Sequence, residues 1–444
     1  MTGGNGISRR RLLTSAGSTT LLAGTAGLPF VPKRARAQPK TLRIMQWRHF
    51  VPGFDPWFND TFAKEWGEAN DTQVIVDNIG YGEIATRAAA EIQAQRGHDL
   101  IQFVTPHATL HDQVIDHREI FEECSRRYGR PAEFAVRANY NPKTGRYLGF
   151  AASFQPALVV YRRDLWAQVQ ARPNSWADVL SGARRIKLLH EKSVGISLAP
   201  EHNGEQTLRS IMYSFGSSEQ DANGTPTLKS NATLEALKYV KDLYEQAMTK
   251  DVLTWDGASN NRFMLTGEGC LTVDSLSILR ASETMKLAFD GDLGLAAMPE
   301  GPAGRLGSFG YYNYAIWKFA DNVAGAKQFL VDYVGRSRDA FLASGFQNMP
   351  CFPDTVPDLA ALTAGQAGGG AGRYSLMRDV PSWTTNAGHP GCTNPAVSEV
   401  YDKGLVSKMF AAVATGRLSA EAALDEASRE EERIFERWRE AGQL

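Results

Sequence analysis

Apolar residues along this chain recur with two different periods. Residues 42–47, 73–78 and 100–104 are short β-rich runs, which predict strands. Between them Phe54, Trp57, Phe58, Phe62 and Trp66 return at helical spacing, so most of that aromatic stripe is expected to be core. Asp55-Pro56 predicts the start of this helix, with a side-chain cap and a proline at the first helical position, and residues 83–96 predict the next helix. Such alternation implies βαβ units and a mostly parallel sheet, whose ligands gather at the carboxyl ends of the strands. Those ends are residues 47–50, 80–83 and 105–107.

Residues 145–187 are read as the handover between two globular lobes. A strand end at 146–149 is interrupted at 154–156, where Pro156 has no donor for a central sheet. A short apolar strand follows at 157–161. Asp164 is expected to cap a helix over 165–169, and Ser175-Trp176-Ala177-Asp178 reads as a capping box for a longer helix ending near Lys187. Further on, residues 194–198 predict a strand and 208–215 a helix. Leu234, Leu237, Val240 and Tyr244 mark a long amphipathic helix, and residues 401–438 are again helical in spacing.

Stretches along the whole chain after residue 37 resemble, in order, the extracellular solute-binding proteins of ABC importers, the maltose-binding-protein-like family. Residues 145–155, 157–166 and 173–178 match its hinge strand, its A-L-x-Y-N-K-D-L-F strand and helix, and its P-x-T-W-D-E-L start, with Arg162-Arg163 in place of Asn-Lys. The turn at 221–226 with its helix, residues 263–275, 293–304 and 307–317, the Gly345–Pro350 turn and Gly416–Leu424 continue the match. The resemblance implies an α/β fold, a two-lobed periplasmic binding protein of type II-like form, with three hinge crossings around a ligand cleft. It places 38–153 with 268–311 in lobe 1 and 154–267 with 312–444 in lobe 2, the crossings falling near Gln155, Gly267 and Tyr311. It also implies a monomeric carrier that closes on a small-molecule solute and delivers it to the membrane permease subunits of an ABC importer.

Composition adds a compartment. Ser8-Arg9-Arg10-Arg11-Leu12-Leu13, a weakly apolar stretch at 14–28 and Ala35-Arg36-Ala37 read as a twin-arginine signal peptide cleaved after Ala37, which predicts export to the periplasm. Its loss would remove six basic residues and no acidic one from the 48 Lys and Arg set against 49 Asp and Glu, and the acidic remainder argues against nucleic acid as a partner. The four cysteines show no metal spacing; Cys351 and Cys392 could pair in an oxidising compartment, or all four could be buried thiols.

Local signatures of catalysis are absent: there is no GxSxG, HExxH, P-loop or EF-hand, and the Gly365–Gly372 loop stands apart from any strand-helix turn that could cradle phosphate. His107 and His111 have one-turn spacing, yet solvated or capping roles outweigh a metal site. No cofactor, metal or catalytic residue is expected, although paired glycosidase carboxylates would leave no spacing to detect. Aromatic and hydrogen-bonding residues are instead enriched at strand ends, as a sugar with an apolar C–H face and a hydroxyl rim requires. Trp47, Tyr81, Trp255, Tyr312 and Trp383 are the stacking candidates, Trp383 because a large ring in a loop is expected to be exposed. Gln155, Glu201, Asn203, Asp274, Ser275 and Asn313 are the polar ones, and His49, Thr105 and His107 add contacts from the first lobe. The expected ligand is a sugar, oligosaccharide or polyol. A phosphorylated or sulfonated polyol, a peptide, a polyamine, or a secreted carbohydrate-active enzyme remain the alternatives.

Overall fold

The computed structural model describes residues 40–308, 310–365 and 372–444. The signal peptide, its cleavage point and most of the Gly365–Gly372 loop lie outside the described residues. In chain order the strands are β1 (Lys40–Trp47), β2 (Thr72–Ile79), β3 (Leu100–Phe103), β4 (Tyr140–Asn141), β5 (Arg146–Tyr147), β6 (Phe150–Phe154), β7 (Leu158–Arg162), β8 (Ser193–Gly195), β9 (Gly269–Asp274), β10 (Leu293–Ala296), β11 (Gly307–Ser308), β12 (Tyr311–Ile316), β13 (Met349–Pro350) and β14 (Thr384–Thr385).

Two sheets hold ten of them, while β4 pairs with β5 and β11 with β14. The first has the order β13-β6-β12-β3-β1-β2 and the second β10-β7-β9-β8. In the first, β1 runs parallel to β2 and β3, whereas β12 lies antiparallel to both β3 and β6. The expected mostly parallel sheet is therefore mixed, because the strands that return from a crossing enter from the opposite end. Both faces of β1 are covered: Leu42 and Ile44 join the larger core, while Met45 and Trp47 pack with Ile84, Ala88 and Phe103 beneath the Ile84–Ala94 helix. A strand buried on both faces reads as a continuous apolar run, as residues 42–47 do.

The expected lobe boundaries need correction. Strand β9 pairs with β7 and β8, and β10 pairs with β7, so residues 269–296 belong to the second sheet. Conversely β12 and β13 complete the first sheet. The chain crosses at 155–157, again between β10 and β12, and a third time after β13; Gly267 is no crossing. The helices Pro395–Asp402, Leu405–Ala414 and Ala420–Glu440 then pack on one another and on Asn231–Ala247. The error arose because a fully buried strand carries no face pattern that names its neighbours.

Local signals fare unevenly. Ser175 and Asp178 form the capping box reciprocally, at 3.1 Å each way, ahead of the Trp176–His190 helix. That helix packs closely on the Arg163–Gln168 helix at Gly182, where an added Cβ would lie 2.4 Å from the Trp166 ring. Asp55 does not cap its own helix, which begins at Phe54 and passes through a π-helical stretch at Trp57–Ala63; its carboxylate instead accepts the His49 N–H at 3.2 Å. Asp164 is likewise no cap, and pairs with Arg162 at 2.6 Å. All four cysteines are free, so Cys351 and Cys392 are not bridged.

Trp383 is the largest correction. Its ring is buried, 5% exposed, because it fills the junction of the crossing segments. Its indole N–H donates to the Ala157 carbonyl at 3.0 Å, and its own carbonyl accepts the Gly307 N–H at 2.8 Å.

A second anchor lies inside the His202–Ser214 helix. Arg209, fully buried, pairs with Glu205 one turn away and with Glu219, and its guanidinium lies 4.6 Å over the Tyr401 ring. Tyr213 donates to Glu219 at 2.8 Å, and the Ser407 N–H donates to Glu205 at 3.0 Å. The network ties this helix to the carboxyl-terminal helices.

Two stability outcomes follow from these anchors. Trp383→Ala should cost about 3–5 kcal/mol, as large-to-small changes of buried aromatics do, read as a lower urea midpoint. Arg209→Met should cost a similar ~3–5 kcal/mol, because it leaves two buried carboxylates without their cation; a thermal midpoint equal to that of the parent would contradict this account of the network.

Candidate functional site

A cavity of about 600 Å³ is lined by elements of both lobes. One wall is the face of the Ile84–Ala94 helix that carries Ile84, Ala85, Ala88, Ala89 and Ile92, residues at helical spacing. The segment just past β3, from Phe103 to His107, continues it. Across from them stand Pro200, Glu201, His202 and Glu205 at the start of the His202–Ser214 helix, with Tyr401 and Asp402 at the end of Pro395–Asp402. Tyr81 of the first lobe meets His202 of the second at a ring separation of 5.0 Å. A volume of this size suits a small solute, since ligand cavities run to about 300–1,000 Å³.

The sequence-derived candidates divide into three groups. Tyr81, Thr105, His107 and Glu201 line the cavity. Glu201 also caps its helix, accepting the N–H groups of Asn203 at 2.9 Å and Gly204 at 2.6 Å. Burial raises its carboxyl pKa and lowers that of the His107 imidazole to about 4, leaving the latter neutral near pH 7.

A second group knits the strand ends together beside it. Trp47 stacks on Tyr312 at 5.6 Å, the Gln155 amide donates to the Tyr312 hydroxyl at 2.9 Å, and His49 bonds Asn348 at 2.9 Å. All are buried, and burial lowers the His49 pKa to about 4. Asn313 accepts from Asn139 at 3.0 Å and borders, with Thr105, a separate void of about 20 Å³. Asn203 donates to the Val273 carbonyl at 3.2 Å. Asp274 accepts from Ser277 at 3.1 Å, and burial pushes its carboxyl up to about 6. Ser275 is buried next to it.

A third group packs elsewhere. Trp383 belongs to the crossing, as described. Trp255 turns its ring onto Phe263 at 5.2 Å and over Gly195, where an added Cβ would lie 2.6 Å from it. It therefore covers β8 and not the cavity.

Sequence reasoning missed most of the cavity wall. The small-residue face of Ile84–Ala94 reads simply as helix, although Ala85, Ala88 and Ala89 at one-turn spacing are the signal of a surface open to close approach. Tyr401 and Asp402 lie some 200 residues from His202, and no local pattern connects them. Among the described residues no group of three His, Cys, Asp or Glu side chains could hold a metal ion, and no helix is long and apolar enough to cross a membrane.

Comparison with known proteins agrees with this architecture. A periplasmic-binding protein of Synechococcus sp. MITs9220, solved with zinc, superposes with a TM-score of 0.75 at 16% identity, over 91% of this chain and 100% of that one. An ABC transporter solute-binding protein of Agrobacterium radiobacter K84, in complex with ribitol, gives 0.71 at 17% identity over 89% and 98%. A maltose-bound T. maritima protein gives 0.73 at 16% over 89% and 99%. At these identities the likeness carries the two-lobed fold. A Brucella abortus (strain 2308) protein named for binding is 26% identical over 178 residues, 39% of this chain, so the match spans 42% of that relative's length. The profile of the bacterial extracellular solute-binding proteins matches residues 52–344, and with most of its length so matched, the chain belongs to that family.

Proposed function

We propose that the protein captures a carbohydrate, whether sugar, oligosaccharide or polyol, by closing its two lobes, and presents it to the permease subunits of an ABC importer. It works as a monomer, without catalysis or cofactor, in the periplasm, which it reaches by the twin-arginine route with cleavage after Ala37. One observation carries the reading: the cavity of about 600 Å³ takes walls from both sheets' elements. A solute held there contacts both lobes at once and so favours the closed state over the open one. The ribitol and maltose bound by the Agrobacterium and T. maritima proteins support the substrate class. Tyr81, partly buried among the lining residues, supplies a stacking face from the first lobe.

A thermal-shift screen of sugars, oligosaccharides, polyols and their phosphates tests the substrate class. A cognate ligand at one hundred times its Kd should add about 2.7 kcal/mol to stability; shifts with peptides alone would end the carbohydrate reading. For the same ligand, Tyr81→Ala should weaken binding about tenfold, the loss of one aromatic contact, while the unfolding transition stays cooperative. Unchanged affinity by calorimetry would remove Tyr81 from the site.

A further inference from the structure

The two walls of the cavity differ in chemistry. Ile84, Ala85, Ala88, Ala89 and Ile92 make one side hydrocarbon, and their small side chains let a ligand approach the helix closely. The other side carries Glu201, Glu205 and Asp402, and neither lysine nor arginine is among the lining residues. Glu205 is already neutralised by Arg209, and Glu201 gives its oxygens to backbone N–H groups. Asp402 lines the cavity, and no ion pair or hydrogen bond engages its side chain among the described residues.

Two uncharged polar groups, His107 and Tyr81, stand in the same lining. His107 is 5% exposed, and its Nε2 lies 3.1 Å from the Leu148 carbonyl, which makes that nitrogen the donor. Backbone carbonyl contacts from Leu148 and Thr105 thereby fix the neutral ring in the cavity wall. The Tyr81 hydroxyl is buried and can donate as well as accept, so it adds no bias of its own. The charged residues of the lining are thus all acidic, opposite a hydrocarbon face. A neutral sugar both donates and accepts along its rim. An ammonium group only donates, three times, and carries the complementary charge.

From this asymmetry we infer that the cavity selects a sugar or polyol bearing a protonated amino group, its C–H face against Ala85, Ala88 and Ala89 and its ammonium toward Asp402. The inference rests on the carbohydrate reading and names the substrate class within it. Burial beside Glu399 pushes the Asp402 carboxyl up to about 7, so the test belongs about one unit above this, where the carboxylate is ionised and an aliphatic amine still protonated.

Calorimetric titration of the full mature protein at about pH 8 compares sorbitol and maltitol with their 1-amino-1-deoxy counterparts, and adds cyclohexylamine as an amine without hydroxyls. The expected result is an amine preference of about tenfold in at least one pair, the scale of one charge-assisted contact. Asp402→Asn should bring the ratio close to one, and Ala89→Trp, which fills the cavity from the exposed side of its helix, should weaken the amino compound at least as much. Asp425→Asn, on the exposed face of Ala420–Glu440, controls for net charge and should leave the ratio as it is. Equal affinity within each pair, or a preference that survives Asp402→Asn, overturns the inference and leaves the carbohydrate reading in place. Asp402-dependent binding of cyclohexylamine alone removes the carbohydrate reading while the acidic wall stands. Binding of no probe at all overturns the amino-sugar assignment, and the neutral screen then decides the broader reading separately.

Discussion

Three residues, Gln155 to Ala157, carry the chain from one sheet to the other, and the rest of the molecule is held to that short passage. The Gln155 N–H donates to the Gly310 carbonyl at 2.9 Å, the Trp383 indole to the Ala157 carbonyl at 3.0 Å, and Gly307 to the Trp383 carbonyl at 2.8 Å. Every crossing is thereby tied to another at one place. Lobes joined in this way can bend about the junction by changing a few backbone angles, but they cannot slide apart or twist freely. The opening between Tyr81 and His202 is set by how far that bend has gone.

The second lobe brings its wall to the cavity by a different device. Arg209 lies between Glu205 and Glu219, so the start of the His202–Ser214 helix is positioned from within by buried charge. Such a network is weak evidence for stability, because desolvation offsets most of the Coulombic gain. Its effect on geometry is stronger: with Ser407 donating to Glu205 and the guanidinium over Tyr401, two helices remote in sequence keep one relative orientation. The first lobe contributes the opposite kind of surface, an alanine-lined helix face without charge.

Sequence patterning revealed the alternation of strands and helices, the Ser175–Asp178 capping box, and the order of motifs that marks the family. These are local signals, written within a dozen residues. The allocation of β9 to a lobe was not legible, because all six of its residues are buried and a strand covered on both faces carries no mark of its neighbours. Trp383 misled for a related reason: a tryptophan flanked by loop residues looks exposed until the crossing that encloses it is known. Tyr81, Thr105, His107 and Glu201 line one cavity because strand ends and helix starts in α/β sheets converge on one edge. Asp402 was not, since it reaches the cavity from a helix end that only tertiary packing brings there.

Strand β12 has a consequence for the order of assembly. It sits between β3 and β6, yet it is synthesised some 150 residues after β6 and after the whole of the second sheet. Until residue 316 has left the ribosome, β3 and β6 both present unpaired edges, which are templates for pairing with other chains. The second sheet, built from residues 158–296, has no such gap and can form first. The first sheet is therefore the later of the two to close, and its long-range pairing makes that a slow and aggregation-exposed step of folding.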